Sequence, residues 1–418
     1  MTPPSIHPPL LVRDVRLVDG TGGPARDHVD VEVAGDRIVG VTPTGSTSIA
    51  ATAGADRLRI VDGRGRTLLP GFVDCHVHLT TSPTTTTLDA ITEPESAKTL
   101  RAVPHLAATL RAGVTTVRDL AGADAGFRDA VEHGVVSGPR LLVAIRILSV
   151  TGGHGDSRTI GGLPLDDGPG AGAVGDGPDA FLRLTREVVR EGADWVKVAA
   201  TGGVGSPRSH PEGGGLSEAE MRTVVQEVDR HGLAGVAAHA IGARGVEAAA
   251  RAGVRSVEHG YLSDDRAIEA MLEHGTVLVP TLSTLLRTLS ADAPPWAARK
   301  RARLAAEGAE RIAAAVAAGV PVAMGTDAGI VSHGTNLAEL ARLVDVGLSP
   351  ELAVAAGTSV AADLCGVGDD VGTVTAGKRA DLVLVDGDPL PDLTVLTTPG
   401  SISLVVQAGA IVGGADDA

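Results

Sequence analysis

The chain has 418 residues, of which 43% are hydrophobic, and its formal net charge is −15. A chain of this length forms two or three average domains, or one large barrel with an appendage, and it has ample apolar content for a sizeable core. The acidic balance with scattered lysines and arginines disfavours nucleic acid as a partner, and no apolar run approaches transmembrane length.

The two cysteines, Cys75 and Cys365, lie far apart in the sequence. Two residues cannot form a disulfide framework of the kind that small secreted domains use. Met1 to Pro9 has proline breaks and no basic start followed by an apolar core, so we expect neither a signal peptide nor an anchor there. A reducing cytoplasm is the location we predict.

The first elements along the chain are short strands. Leu11–Val41 alternates between apolar and polar residues, with turn signals between the apolar runs. The same pattern returns in Ala380–Val385 and Ile402–Val412. We therefore predict one small β-sandwich domain that is built from both chain ends, residues 1–68 and 372–418.

Strand-like and helix-like segments alternate between these ends, with eight of each. A helix over Glu218–His231 is predicted by the cap Ser217 and by Glu220 at the third helical position, and another over Trp296–Ala318. The predicted strands are Val73–His78, Thr115–Asp119, Leu141–Ile147, Trp195–Ala200, Gly235–His239, Ser256–His259, Thr276–Pro280 and Val320–Thr326.

Eight alternating units predict an α/β protein whose residues 69–371 form a parallel (β/α)8 barrel of the TIM type. A doubly wound open sheet is the alternative, but no Gly-x-Gly-x-x-Gly follows the first strand to favour it. Two glycine-rich loops, His154–Gly177 and Gly202–Gly215, follow the third and fourth strands. They are candidates for a substrate lid, although disorder is an equal alternative for Gly168–Gly177.

The first barrel strand ends in His76 and His78, which are separated by one residue. Side chains alternate between the two faces of a strand, so these imidazoles point the same way and can hold one cation between them. The pair is half of a predicted metal site.

The carboxyl ends of later barrel strands carry further metal-ligand types: Lys197, His239, His259 and Asp327. In a barrel these positions converge on one face. Most other histidines fall on predicted helices or at helix ends, namely His105, His133, His231 and His274. This sorting favours a metal centre over scattered structural histidines.

The chain resembles the amidohydrolase superfamily, and in particular its imidazolonepropionase-like and Xaa-Pro dipeptidase (prolidase-like) branch. The resemblance covers nearly the whole chain. It is carried by Leu69-Pro-Gly-Phe-Val-Asp-Cys-His-Val-His78, Val196-Lys-Val198, Ala238-His-Ala240, Val257-Glu-His-Gly260, Gly325-Thr-Asp-Ala-Gly329 and Gly377-Lys-Arg-Ala-Asp-Leu-Val383.

This resemblance implies two divalent metal ions, most commonly zinc, bridged by a carboxylated Lys197. It places the buried ion on His76, His78, Lys197 and Asp327, and the outer ion on Lys197, His239 and His259. A free ammonium group would repel cations, so an inward lysine among histidines agrees with carboxylation. Two metals about 3.5–4 Å apart can share a hydroxide with a pKa near 7, which is the predicted nucleophile, and Asp327 is the predicted proton carrier.

Substrate contacts are predicted for four residues: His154, Arg208, Tyr261 and His333. A comparable histidine contacts the substrate carboxylate in similar dipeptidases, so His154 is the first choice. Arg146, Arg158 and His210 lie at the same rim, where a guanidinium could clamp a carboxylate. One departure is Ile241, two residues after His239, where some peptide-cleaving relatives would show a polar or aromatic residue.

We therefore predict a binuclear metal-dependent hydrolase that cleaves a C–N amide bond of a small molecule, either a dipeptide or an N-acyl amino acid. The alternatives are a cyclic-amide hydrolase of the imidazolonepropionase type, which needs no bridging lysine, and a non-hydrolytic tailoring enzyme on the same barrel. We expect a homo-oligomer, although packing within a barrel explains the alanine-rich helices equally well.

Overall fold

A computed structural model describes residues 7–46, 58–85, 89, 92–156, 172–204, 209–289 and 295–414. Arg158 and Arg208, which the sequence suggested as substrate contacts, lie outside these ranges, as does much of the loop His154–Gly177. Among the described helices, none combines the length and the apolar character that crossing a bilayer requires.

The strands, in chain order, are β1 Leu10–Leu17, β2 Arg26–Ala34, β3 Arg37–Pro43, β4 Arg59–Asp62, β5 Arg66–Pro70, β6 Phe72–Val77, β7 Val114–Asp119, β8 Arg140–Val143, β9 Ile147–Ser149, β10 Ala173–Val174, β11 Val196–Ala199, β12 Val236–Gly242, β13 Ser256–Leu262, β14 Val277–Val279, β15 Leu382–Asp386, β16 Ile402–Gln407 and β17 Ala410–Gly413.

The helices are α1 Glu95–Arg111, α2 Ala125–Glu132, α3 Pro178–Arg190, α4 Glu218–His231, α5 Ala243–Ala252, α6 Asp265–His274, α7 Leu282–Leu285, α8 Pro295–Ala317, α9 Ala338–Asp345, α10 Pro350–Ala356 and α11 Ser359–Cys365, with a 3-10 helix over Leu393–Thr397. Helix α4 begins at the predicted capping box, because the Ser217 side chain accepts from the Glu220 amide while Glu220 binds the Ser217 amide.

Strands from both chain ends form one mixed sheet in the order β17-β16-β15-β5-β1-β2-β3, with β4 beside β1. The two ends meet where β15 pairs antiparallel with β5, from Leu382 opposite Pro70 to Asp386 opposite Arg66. Its apolar side chains, among them Val31 and Leu384, form a cluster separate from the main core. The hydrogen bonds join these strands into a single sheet, so the two stacked layers of a sandwich stay a prediction.

Two parallel sheets follow, in the orders β6-β7-β8 and β10-β9-β11-β12-β13-β14. The single strand predicted over Leu141–Ile147 is divided between β8 and β9, since Ile145 between them has a left-handed backbone with φ of 66°. A hydrogen bond still joins the two parallel sheets at this point. The Asp194 amide, just before β11, donates to the carbonyl oxygen of Val143 at the end of β8 at 2.8 Å.

The segment 320–326 forms no regular strand, although the sequence predicted one there. Its backbone nevertheless bonds to strands on both sides. The Ala323 amide donates to Leu278 of β14 at 3.0 Å, and the Cys75 amide of β6 donates to Met324 at 2.9 Å. Pro321 lacks an amide hydrogen, so one donor of a regular ladder is missing. These bonds place the end of this segment beside the histidines of β6.

Candidate active site

His76 and His78 lie at the end of β6 with Asp327 opposite them. Their ring centroids are 5.3 Å apart, so the strand alternation does bring both imidazoles to one side. Asp327 Oδ1 is 3.6 Å from His76 Nε2 and 3.3 Å from His78 Nε2. One ligand atom from each of the three residues lies within 4.8 Å of the others, which is the spacing of a group that can hold one metal ion.

Hydrogen bonds on the far side of each ring fix this orientation. His76 Nδ1 lies 2.8 Å from Glu258 Oε2, and His78 Nδ1 lies 2.8 Å from the carbonyl oxygen of Ala121. Both partners are acceptors, so Nδ1 donates and the lone pair of each ring is on Nε2. Both Nε2 atoms are therefore ready to accept a metal ion.

Asp327 is held in an uncommon backbone conformation. Its φ is 60°, in the left-handed region, and its amide donates to the carbonyl oxygen of His76 at 2.7 Å. Burial would raise the pKa of the Asp327 carboxyl, but the imidazoles of His76 and His78 outweigh burial and hold that pKa below its usual range. The side chain is therefore a carboxylate.

His259 continues the site from β13. Its ring centroid is 5.2 Å from that of His76 and 4.7 Å from that of His239. The backbone of His259 is also left-handed, with φ of 77°, and its Nδ1 lies 2.8 Å from Thr281 Oγ1. Burial lowers the pKa of His259 to about 3, so the ring is neutral, as metal binding requires.

His239 and His154 form a flat stack beside His259. Their ring centroids are 3.9 Å apart with 7° between the planes. His239 Nε2 donates to the Gly202 carbonyl oxygen at 3.1 Å, so Nδ1 carries the lone pair in this arrangement. A Cβ on Gly203 would lie 2.4 Å from His154 Nδ1, so glycine is needed where the loop passes this ring. The structure thus brings His154 to the metal-ligand candidates, and its contact with substrate stays a prediction.

Lys197 is the second residue of β11 and is only 2% exposed. Its Nζ atom is buried and has no hydrogen-bond partner within the described part of the chain. Burial is the main cause that lowers the pKa of Lys197 to about 8, with a further contribution from the positive charge of Arg118. An unpartnered buried amine is costly, which points to a group that is bound or attached there.

A buried ion pair lies next to the candidate metal ligands. Arg118 Nη2 is 2.9 Å from Glu258 Oε1, and both side chains are 0% exposed. Arg118 also donates through Nε to the Cys75 carbonyl oxygen at 2.6 Å, and its guanidinium lies 4.4 Å from the ring centroid of Trp195. The charge pair therefore contacts strand β6 beside His76.

The other residues predicted to contact substrate lie in different surroundings. Tyr261 lies near His259, with ring centroids 5.4 Å apart, but its hydroxyl bonds to Thr281. His333 stacks on His105 at 4.2 Å, and its Nε2 donates to the Thr81 carbonyl oxygen. Two further candidates at the rim are not free to bind a substrate carboxylate inside the site. Arg146 forms an ion pair with Glu191, and His210 is exposed to solvent.

Several supporting residues were not singled out from the sequence. Asp74 accepts from Thr326 Oγ1 at 2.6 Å and from Asn336 Nδ2 at 2.7 Å, and burial raises the pKa of Asp74 to about 6. Asp119 accepts from the backbone amide of Leu79, after β6, and from those of Ala121 and Ala123, in the loop after β7. Both carboxyls follow apolar strand residues, which is a sequence signal that could have identified them. Glu258, next to His259 in the sequence, gave the same signal.

Comparisons with known proteins match this chain over most of its length. The sequence pattern that describes the amidohydrolase family matches residues 67–412. The chain is 30% identical to ochratoxinase of Aspergillus niger over 370 residues, which are 83% of this chain and 76% of that protein. It is 30% identical to imidazolonepropionase of Stenotrophomonas maltophilia over 423 residues, which are 93% of each chain. The crystal structure of a prolidase complexed with N-methylphosphonate-L-proline is 34% identical, with a TM-score of 0.88 over 96% of this chain and 99% of that one.

We expect the variant Glu258→Gln to lower the free energy of unfolding by about 3–5 kcal/mol, because it leaves the buried Arg118 guanidinium without its counter-charge. Chemical denaturation measures this change. The matched control is Glu227→Gln, since Glu227 is also buried but pairs with the half-exposed Arg186. A loss no larger for Glu258→Gln than for the control would contradict the central role of the pair.

Proposed function

The chain belongs to the amidohydrolase family, and we propose that it is a binuclear metal-dependent hydrolase that cleaves the C–N amide bond of a small molecule. The observation that carries this proposal is Lys197, whose buried Nζ has no partner within the described residues. Besides burial, its positive charge contributes to lowering the pKa of His76, His239 and His259, so these imidazoles lie close to it. The proposed substrate is a dipeptide or an N-acyl amino acid.

We propose that residues 69–371 form a closed (β/α)8 barrel, with residues 1–68 and 372–418 as a β-sandwich domain. Closure is supported by the hydrogen bonds that connect segment 320–326 to both β14 and β6. The β-sandwich is supported by the sheet that both chain ends share and by its separate apolar cluster.

The donor set fits two divalent cations. His76, His78 and Asp327 would hold one ion, and His239 and His259 the other, with a carboxylated Lys197 between the two. Nitrogen and carboxylate donors of this kind suit zinc, and also manganese, iron or cobalt. Bound ions would supply Lewis acidity toward the scissile carbonyl group and would acidify water.

Lys197 reaches its proposed form by reaction with CO2. The neutral amine forms an N–C bond to CO2 and loses one proton, which leaves a carbamate with one negative charge and two oxygen donors. A pKa lowered to about 8 by burial increases the neutral fraction of the amine near neutral pH. The carbamate also removes the positive charge that would repel cations from this position.

Asp327 is the proposed proton carrier. Its carboxylate lies within 3.6 Å of both histidines of β6, and its left-handed backbone turns it toward them. It accepts the proton of the attacking water at an Oδ atom and passes it to the nitrogen that leaves the amide. No serine or cysteine nucleophile is needed for this reaction.

The substrate class is supported by the similarity to the prolidase complex and to ochratoxinase. A second candidate is hydrolysis of a cyclic amide, which the match to imidazolonepropionase over 93% of the chain favours. Lys197 argues for the first candidate, because the imidazolonepropionase branch of the family uses one metal and needs no bridging lysine.

The proposed function is tested by metal content per chain in protein purified without chelators, followed by hydrolysis assays with dipeptides and N-acyl amino acids. We expect two metal equivalents together with cleavage. One equivalent with opening of a cyclic amide would favour the second candidate. Full metal content without hydrolysis of any amide would overturn both in favour of a non-hydrolytic enzyme.

For Asp327→Asn we expect kcat to fall by about a hundredfold to ten-thousandfold, the usual contribution of a positioned acid–base group, while substantial metal is retained. Metal analysis and steady-state kinetics on one preparation measure both effects. Asp370→Asn, in an exposed pair with Arg37, is the control that should change neither. Near-normal turnover by Asp327→Asn would contradict the assigned role.

For Lys197→Ala we expect loss of the metal pair, and partial return of metal and activity when a small carboxylic acid such as acetate is added. The added carboxylate replaces the two oxygen donors of the carbamate. Lys98→Ala, on the exposed surface of α1, serves as the control. If Lys197→Ala kept two metals without acetate, the carbamate would not be the bridge.

A further inference from the structure

Two arginines lie together behind the loop that carries Asp327. Arg301 of α8 is only 6% exposed, and its Nη1 donates to the carbonyl oxygen of Thr284. Its Nη2 atom is buried and has no partner among the described residues. Arg287, two residues after α7 ends, is half-buried, and its Nε atom is likewise buried without a described partner.

Both side chains are anchored to the neighbourhood of Asp327. Thr284, which accepts from Arg301, itself donates to the carbonyl oxygen of Thr326 at 3.2 Å. Arg287 Nη1 lies 3.5 Å from the carbonyl oxygen of Ile330, and the Ile330 amide donates to the Asp327 carbonyl oxygen at 2.9 Å. The two guanidinium groups therefore lie on the side of the site formed after β14.

The two positive charges act on each other. Burial lowers the pKa of Arg301, and the positive charge of Arg287 lowers it further. A guanidinium stays protonated at any pH that proteins tolerate, so both groups remain cations despite their mutual repulsion. A buried cation next to a half-buried one is unfavourable unless an anion lies near both.

The negative charge of Asp327 acts to raise the pKa of both arginines, but no described carboxylate lies within ion-pair distance of either one. Neither Arg287 nor Arg301 forms an ion pair with a described acidic residue. The nearby Glu339 is engaged elsewhere, because it accepts from the amides of Leu282 and Ser283 at 2.6 and 2.7 Å. Asp327 faces His76 and His78. The anion is therefore expected to come from outside the protein.

We propose that Arg287 and Arg301 bind the free carboxylate of the substrate and so determine its specificity. This inference rests on the proposed amide hydrolysis. It identifies the free carboxylate as the substrate group that the enzyme recognises in addition to the scissile amide. A guanidinium presents N–H donors in a planar fork that matches the two oxygens of a carboxylate. Arg146 is less suited to this role, because Glu191 already neutralises its charge.

The test compares substrates that differ only in this charge: N-benzoylglycine with N-benzoylglycinamide, and Gly-Pro with its C-terminal amide. For Arg287→Gln and Arg301→Gln, we expect kcat/KM for each acid to fall by about 10–100-fold, mainly through KM, as for loss of a charged hydrogen bond. Activity toward the uncharged partners should stay within about twofold, as expected when only the interaction with the charge is lost. Arg301→Lys should retain part of the preference for the acid.

Arg303→Gln is the matched control, since Arg303 is on the same helix but is exposed and paired with Glu212 at 2.8 Å. It should leave the acid preference unchanged. Equal losses for acid and amide substrates would mean that the arginines are structural and would overturn the proposal. So would an unchanged acid preference in Arg287→Gln. If Arg301→Gln does not fold, Arg287→Gln and Arg301→Lys decide the result.

Failure of the proposed function is distinguishable from failure of this inference. If the wild-type protein cleaves none of these compounds, calorimetry measures binding of N-benzoylglycine and N-benzoylglycinamide. Tighter binding of the acid by the wild-type protein, lost in Arg287→Gln, would support an anion site without amide hydrolysis. Equal binding of the acid and the amide would overturn the anion site.

Discussion

The buried charge pair between Arg118 and Glu258 is the interaction on which the site depends. Neither side chain is exposed, so each must keep the other as its counter-charge. Glu258 also accepts from His76, which fixes the ring that faces Asp327. Arg118 binds the Cys75 carbonyl oxygen and lies against Trp195, two residues before Lys197. This charge pair thus connects β6, β7, β13 and the start of β11. Three of these strands, β6, β11 and β13, carry the candidate metal ligands His76, Lys197 and His259, and the pair fixes their positions relative to one another.

Local patterns predicted much of this arrangement. Period-two alternation identified His76 and His78 as neighbours, and the order of strands and helices placed Lys197 and His259 on parallel strands, where the structure has them in β11 and β13. The sheet that joins the two chain ends agrees with the alternating segments at both termini. These predictions succeeded because they depend on the direction in which a strand projects its side chains, which the sequence encodes locally.

The remaining features depend on backbone conformation and on distant contacts. His259, Thr281 and Asp327 all have positive φ values, so their directions do not follow from strand alternation. Pro321 interrupts the ladder in a segment whose composition is otherwise typical of a strand. Arg287 and Arg301 lie on elements that show no motif. Their proximity arises only from packing of α8 against β13 and α7, which no local pattern encodes.

The left-handed backbone of His259 within β13, of Thr281 after β14 and of Asp327 after segment 320–326 limits how this enzyme can be altered by laboratory evolution. Residues with a branched Cβ disfavour positive φ, and each such position costs about 1–3 kcal/mol in local strain. His259 and Asp327 are thus constrained twice, by the chemistry of their side chains and by their dihedral angles. Valine, isoleucine or threonine at these positions would add strain to the loss of the side chain's chemistry, whereas glycine or asparagine would relieve strain while losing the same chemistry.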